Sequence, residues 1–269
     1  MRLSISNIAW DVCEDHKVLE ILEAFEVSAI DIAPGKYFSL LNPPSLEELK
    51  KVRSFWSERG IDIVGMQSLL FGTQGLNVFK LGAQQRDLLT HLEKIFIIAH
   101  ELNSRKIVFG SPKNRDRSGL SDELAEKIAM DFFFKVGDIA SKYGVLFCLE
   151  PNPKIYGCNF LTTTTEAYSF VSKLNHPSVM LQFDSGTVFQ NDENVEDFFE
   201  FTNRFGHFHI SEPNLKVIGR NYDHSLISDL LNNHLKPDVV TIEMLTSHGP
   251  SRLQEIEEAI DFAKRTYNV

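Results

Sequence analysis

Four segments of the chain close on residues able to hold a metal ion: "VLFCLEP" on Glu150, "VMLQFDS" on Asp184, "HFHIS" on His209 and "VVTIEM" on Glu243. Each is a short, mostly apolar run of the kind that forms a buried strand, with the polar residue at or next to its final position. A single polar strand end is ordinary. Four in succession cannot lie unpaired in a low-dielectric setting without raised pKa values or a shared cation. The cation is the simpler solution. Three carboxylates and one imidazole make a hard, oxygen-rich donor set, so one divalent ion is expected. Mn²⁺ is the first choice, with Mg²⁺, Co²⁺ or Zn²⁺ as alternatives.

Strand pleating sharpens this reading, because successive side chains point to opposite faces. If Glu150 points inward, so does Cys148; Asp184 goes with Gln182, His209 with His207, and Glu243 with Thr241. The outward partners Leu149, Phe183, Phe208 and Ile242 are all large and apolar, as a layer beneath helices requires. In "HFHISEPN" the two histidines therefore share a face, about 7 Å apart. His209, nearer the strand's end, is level with the three carboxylates and is the expected ligand. His207 lies one layer deeper, to orient a ligand or substrate or to fill the interior.

The elements that position these residues follow a rhythm of short apolar run, loop and longer helical stretch. Strands are expected at Leu3–Ala9, Ala29–Ala33, Asp62–Gln67, Lys106–Gly110, Val145–Glu150, Val179–Asp184, Gly206–Ile210 and Val239–Glu243. Ser45 with Glu48, Thr163 with Glu166 and Ser251 with Gln254 have the spacing of helix capping boxes. "SDELAEKIAMDFFFKVGDIASKYG" starts at Ser121 and stops at Gly144, a natural left-handed cap. Eight such units predict an α/β chain folded as a single (β/α)8 TIM barrel over residues 1–269, with an open doubly wound sheet as the alternative. In such a barrel the reactive groups sit at the C-terminal strand ends.

Several other residues fall at that mouth by position. Lys113 and Arg115, in "GSPKNRDRSG" after strand 4, could bind a phosphate or carboxylate. Trp10 ends strand 1 and could wall a sugar ring; Gln67 ends strand 3 and Lys36 follows strand 2. Glu212 and His224 follow strand 7 and are candidate substrate contacts. Asp31 is expected to point into the barrel as a satisfied buried carboxylate.

Composition narrows the partners. The 269 residues carry a net charge of −10, which repels nucleic-acid backbone and anionic lipid. No window approaches the ~18 apolar residues of a membrane span, and the start has no leader-like apolar region. The three cysteines show no CxxC spacing and read as free thiols in a reducing cytoplasm. The 21 Phe residues, in runs such as Phe132–Phe134 and Phe198–Phe199, read as core. A small-molecule partner is expected, and the sequence is compatible with a homo-oligomer.

At the residues quoted, the chain resembles the xylose isomerase-like TIM barrel superfamily and, within it, the sugar phosphate isomerase/epimerase family. The likeness spans nearly the whole chain. It is carried by Glu150, Asp184, His209 and Glu243 at separations of 34, 25 and 34, by "FDSG", and by "HFHISEPN". The resemblance implies that these four bind one divalent metal and that Glu150 and Glu243 also form a catalytic proton-transfer pair. A metal-stabilised enediolate of a sugar, sugar phosphate or cyclitol would then be epimerised or isomerised between them. The same enediolate could lose a β-hydroxyl, making a dehydratase, and a non-catalytic barrel that binds metal or sugar is the remaining alternative. An endonuclease of the same superfamily would need more histidines and a basic groove. The ketose-epimerase pattern breaks at three substrate-contact positions, where Tyr156, Thr187 and Leu215 replace a Glu, a His and an Arg.

Overall fold

The structure is a computed structural model and describes residues 1–40, 42–201 and 204–269. Eight parallel strands form a closed barrel in chain order. They are β1 (Arg2–Ser6), β2 (Ala29–Ile32), β3 (Asp62–Met66), β4 (Lys106–Phe109), β5 (Leu146–Leu149), β6 (Val179–Asp184), β7 (Phe205–Ser211) and β8 (Val239–Glu243). The ring closes where β1 pairs with β8, Ser4 opposite Thr241. The helices are α1 (Asp15–Ala24), α2 (Leu46–Ser57), α3 (Ala83–Glu101), α4 (Asp122–Lys142), α5 (Thr164–Leu174), α6 (Ser185–Asn191), α7 (Ser225–Asp229) and α8 (Arg252–Tyr267). Helix α7 runs on into a π-helical stretch, Leu230–Leu235.

The closed ring answers the open-sheet alternative. Five of the strands end one to three residues before the expected position, and after β1 and β2 the chain turns into short 3₁₀ segments, Asn7–Ala9 and Pro34–Lys36. Residues Asn7–Ala9, expected as strand, form a 3₁₀ turn whose start is capped by Ser6. Such early endings deliver the next side chain to the mouth.

Two of the helix starts read from sequence differ in detail. Ser45 and Glu48 form the reciprocal capping box. Thr163 caps α5, but Glu166 bonds Thr162 rather than the Thr163 N–H. Ser251 makes no cap bond; its hydroxyl pairs with Ser247 instead.

The main core lies between barrel and helices. Phe96, Phe109, Phe133 and Phe147 sit there in tilted and edge-on contacts, with Phe109 and Phe147 centroids 5.4 Å apart. Phe132 and Phe133 are buried, whereas Phe134 is exposed and lies edge-on against His176. The three cysteines are free. No described helix is long and apolar enough to cross a membrane.

Candidate metal centre and the barrel mouth

The register of β6, β7 and β8 brings three of the four candidate ligands together. Asp184 pairs with His209 across β6–β7, and Glu243 is paired with Ser211, two residues beyond His209. Glu150 follows β5 directly, its N–H bonded to Phe109 O. One ligand atom from each of Glu150, Asp184, His209 and Glu243 lies within 4.8 Å of all the others. At ~2.0–2.3 Å per ligand bond, a spread of that size suits a single ion.

Each candidate ligand is held from behind. Asp184 caps α6: Thr187 N and Oγ1 donate to Oδ2 at 2.8 and 2.9 Å, and Ser211 Oγ donates to Oδ1. Gln67 Nε2 donates to Glu243 Oε1 at 2.5 Å, leaving its own Oε1 buried and unpartnered. Asn152 Nδ2 reaches Glu150 Oε2 at 3.3 Å. Gly110 at the end of β4 is required by space, since a Cβ there would overlap the Glu150 carboxylate.

His209 is set by a residue beneath it. Asp31 on β2 accepts from His209 Nε2 at 3.3 Å and from His207 Nε2 at 2.5 Å. Gly65 on β3 leaves room for that carboxylate, which lies 2.5 Å from where a Cβ would stand. With Nε2–H committed to Asp31, His209 Nδ1 faces upward, as a proton donor to the carboxylates or, with that proton released, as a ligand atom. There it meets Glu243 Oε2 at 3.2 Å and Glu150 Oε1 at 3.6 Å. Carboxylate support of this kind is how proteins orient histidine ligands.

The electrostatics show why this arrangement suits a cation. Burial pushes the Asp184 carboxyl up to about 7, reinforced by the like charges of Glu150 and Glu243. Burial opposes charge on His209, yet Glu243, Asp31 and Glu150 together raise the imidazole well above its ordinary value. Burial also opposes charge on Asp31, but His207 and His209 hold it below the usual carboxylate range. His209 Nδ1 and Glu150 Oε1 are buried without a hydrogen-bond partner. Three carboxylates converging on one imidazole leave surplus negative charge that fits a bound divalent ion.

Two cavities open at the mouth, one of about 910 Å³ and one of about 410 Å³. Glu150 and Glu243 are the residues common to both walls. The larger lobe is built from the segment after β3 and the end of β4, including Gln67, Phe71, Lys80 and Lys113. The smaller adds Asp184, Glu212 and the three positions that break the epimerase pattern, Tyr156, Thr187 and Leu215.

Several other residues expected at the mouth lie away from these walls. Trp10 is buried edge-on against Trp56 and donates from Nε1 to Asp15 at 2.7 Å, so it packs the core and walls neither lobe. Lys36 donates to the Asn7 and Trp10 carbonyls. Arg115 is fully buried and lines neither lobe; none of its guanidinium nitrogens finds an oxygen acceptor. Burial lowers its pKa, with Cys158 and Glu150 supplying the compensation. It cannot meet a solvent-borne anion as expected for "KNR", because the turn after β4 folds it inward. His207 lies under the site against Asp31 and Thr241, out of reach of substrate. His224 is buried between Tyr267 (2.5 Å) and Glu212 (3.6 Å). Glu212, by contrast, stands in the wall of the smaller lobe, where it accepts from the backbone of Gly219, Arg220 and Asn221 and from the Asn221 side chain, thereby shaping the loop after β7. Asp31 had a visible signal, its inward parity. Ser211 and Thr187 were readable only once the strands were paired.

With the geometry in place, comparison with known proteins becomes informative. Residues 19–266 match the family model described as xylose isomerase-like TIM barrel. No curated protein matches the sequence. A D-psicose 3-epimerase solved in the presence of D-fructose superposes with a TM-score of 0.82 at 17% identity, covering 100% of both chains. An L-ribulose 3-epimerase gives 0.83 at 15% identity, covering 99% of this chain and 94% of its own. A protein called IOLI, solved with a zinc atom, gives 0.73 at 21%, covering 99% and 96%. At such identities these likenesses establish the shared fold.

Proposed function

We propose a function from the premise that this chain belongs to the xylose isomerase-like TIM barrel family: it is a divalent-metal-dependent carbohydrate isomerase or epimerase. The observation that carries this reading is that Glu150 and Glu243 each border both lobes of the mouth while sharing one cluster with Asp184 and His209. A sugar lying across the two lobes would meet both carboxylates, which the two-base reading assigns to opposite faces of the reacting carbon. The fold neighbours whose names specify sugar epimerases lend support.

Glu150, Asp184, His209 and Glu243 would hold the ion, with Mn²⁺ favoured by the hardness of the donors. When bound, it supplies a Lewis acid that polarises adjacent substrate oxygens and stabilises the negative charge developing there. One glutamate would take a proton from the carbon next to the carbonyl. The other would deliver its own, solvent-exchangeable proton to the opposite face of that carbon, or to the neighbouring carbon with a hydroxyl proton shifting between the two oxygens. Asp184, with both oxygens engaged by protein donors, serves as ligand alone. Gln67, on the wall of the larger lobe, fixes Glu243. Lys113 faces substrate from the larger lobe. Glu212 lines the smaller lobe and holds the loop after β7, while His207 and His224 act behind the wall.

The test is C–H exchange in D₂O. Mn²⁺-loaded protein is offered ketoses, their phosphates and inosose-like cyclitols, with deuterium uptake next to the carbonyl followed by NMR. Exchange in at least one compound is expected, lost on chelation and restored by Mn²⁺. Loss of water from the substrate would assign the dehydratase outcome. No exchange in any compound, with metal stoichiometrically bound, contradicts the proposal.

A further inference from the structure

The two lobes differ in charge as well as size. The smaller is walled by Glu150, Asp184, Glu212 and Glu243 and by no lysine or arginine. The larger carries Lys80 and Lys113, neither in a direct ion pair among the described residues. The acid near Lys80 is Asp116, on the same wall, whose Oδ1 already accepts from Ser118 N, Ser118 Oγ and Asn159 Nδ2.

The wall bearing these lysines is a built one. Asn77 and Asn114 are both buried and stitch the segment after β3 to the turn after β4. Asn77 Nδ2 donates to Lys113 O at 3.2 Å, Asn114 Nδ2 to Leu76 O at 2.8 Å, and Val78 N to Asn114 O at 2.8 Å. Ser111 Oγ fixes Asn114 in turn, at 2.5 Å. Two buried amides cross-linking two loops hold Lys113, and Lys80 two residues past Val78, along one side of the cavity. At about 910 Å³ that lobe is near the upper end of the ~300–1,000 Å³ typical of ligand pockets, ample for the far end of a substrate.

Resting on the reading of Glu150 and Glu243 as the reacting end, we propose that the larger lobe receives an anionic group at the opposite end of the sugar, a terminal phosphate or carboxylate held by Lys80 and Lys113. Glu150 and Glu243 face both lobes, but Asp184 and Glu212 belong to the smaller lobe alone and the two lysines to the larger alone, so an anion's charge also dictates which way round the sugar binds. The reacting carbonyl lies toward Asp184 and the anion toward the loop after β3. Neutral anchors in the smaller lobe, Tyr156, Thr187 and Leu215, complete this polarity.

The experiment uses Mn²⁺-loaded protein and a matched series: fructose, fructose 6-phosphate and fructuronate, then the same triad for other ketoses. Binding is measured by calorimetric titration and reactivity by deuterium exchange. Lys80→Met with Lys113→Met is expected to weaken the anionic members about tenfold or more relative to their neutral partner, the worth of a charge-assisted contact. Preference for the phosphate or for the carboxylate identifies the anion. Equal weakening of neutral and anionic members, or neutral members binding as tightly as anionic ones in the unaltered protein, overturns the proposal. Exchange with a neutral ketose alone leaves the isomerase reading standing while this one falls. Lysine-dependent binding of the anionic members without any exchange does the reverse.

Discussion

Two clusters of metal-type residues share His209, and only one is arranged for an ion. The lower, Asp31 with His207 and His209, is wholly buried. It sets one carboxylate against two imidazoles that both donate to it. The upper sets three carboxylates against one imidazole and opens to both lobes. Residue type and proximity are nearly the same in the two. What separates them is surplus charge of one sign and access from the two lobes. A buried set whose charges already answer one another is a structural ion pair; one that cannot is a candidate binding site.

The largest effect expected from breaking this contrast follows loss of the shared residue. His209→Ala should abolish stoichiometric Mn²⁺ binding, measured by elemental analysis and titration. His207→Gln, which touches the lower cluster alone, should lower the Tm and keep the metal. The reverse pattern would move the ion to the lower cluster. Next in size is Asp31→Asn, which keeps the shape but removes the charge that fixes the His209 tautomer. Its Mn²⁺ affinity should fall by about 10–100-fold, the usual worth of such outer support. Unchanged affinity would mean that Asp31 serves stability alone.

A smaller effect sharpens the contrast through pH. Asp184 has a folded-state pKa raised from its ordinary 3.8 to about 7, through burial and then Glu150 and Glu243. A raised carboxyl contributes its stability below the unfolded value and loses it as pH rises through the folded one. Metal-free protein should therefore lose thermal stability between about pH 4 and 7, and Mn²⁺ should relieve that loss. The Tm gap between loaded and metal-free protein should widen over this interval; a constant gap would separate Asp184 from the ion.

Much of the upper cluster was legible in the sequence, because pleat parity and strand-end position are local properties. Glu150, Asp184, His209 and Glu243 each terminate an apolar run, and their large apolar neighbours could face only the helices. The supporting residues were less legible, because their partners are distant in the chain. Gln67 reaches Glu243, and Asp31 reaches His207, each across 176 positions. Asp31 could be placed inside the barrel, but its two partners depended on which strands stand opposite. Arg115 misled because charge in a loop suggests solvent, whereas the stitched turn after β4 decides which side chain faces in. Lys80 gave no motif at all and gained meaning only from the wall it shares with Lys113.

In the proposed mechanism Glu150 and Glu243 carry protons as well as holding metal, and everything else at the mouth serves that pair. Glu150→Gln and Glu243→Gln keep size and a coordinating oxygen and remove basicity. The decisive measurement is turnover and deuterium incorporation in each variant, followed separately in substrate and product, with Mn²⁺ content confirmed on the same samples. Each variant should lose turnover by about 10²-fold or more, the worth of a positioned acid or base. One should still exchange a substrate proton from a single face, because abstraction can survive when delivery to the other face is lost. Near-normal turnover in both variants with metal bound would reduce the glutamates to ligands and contradict the two-base mechanism.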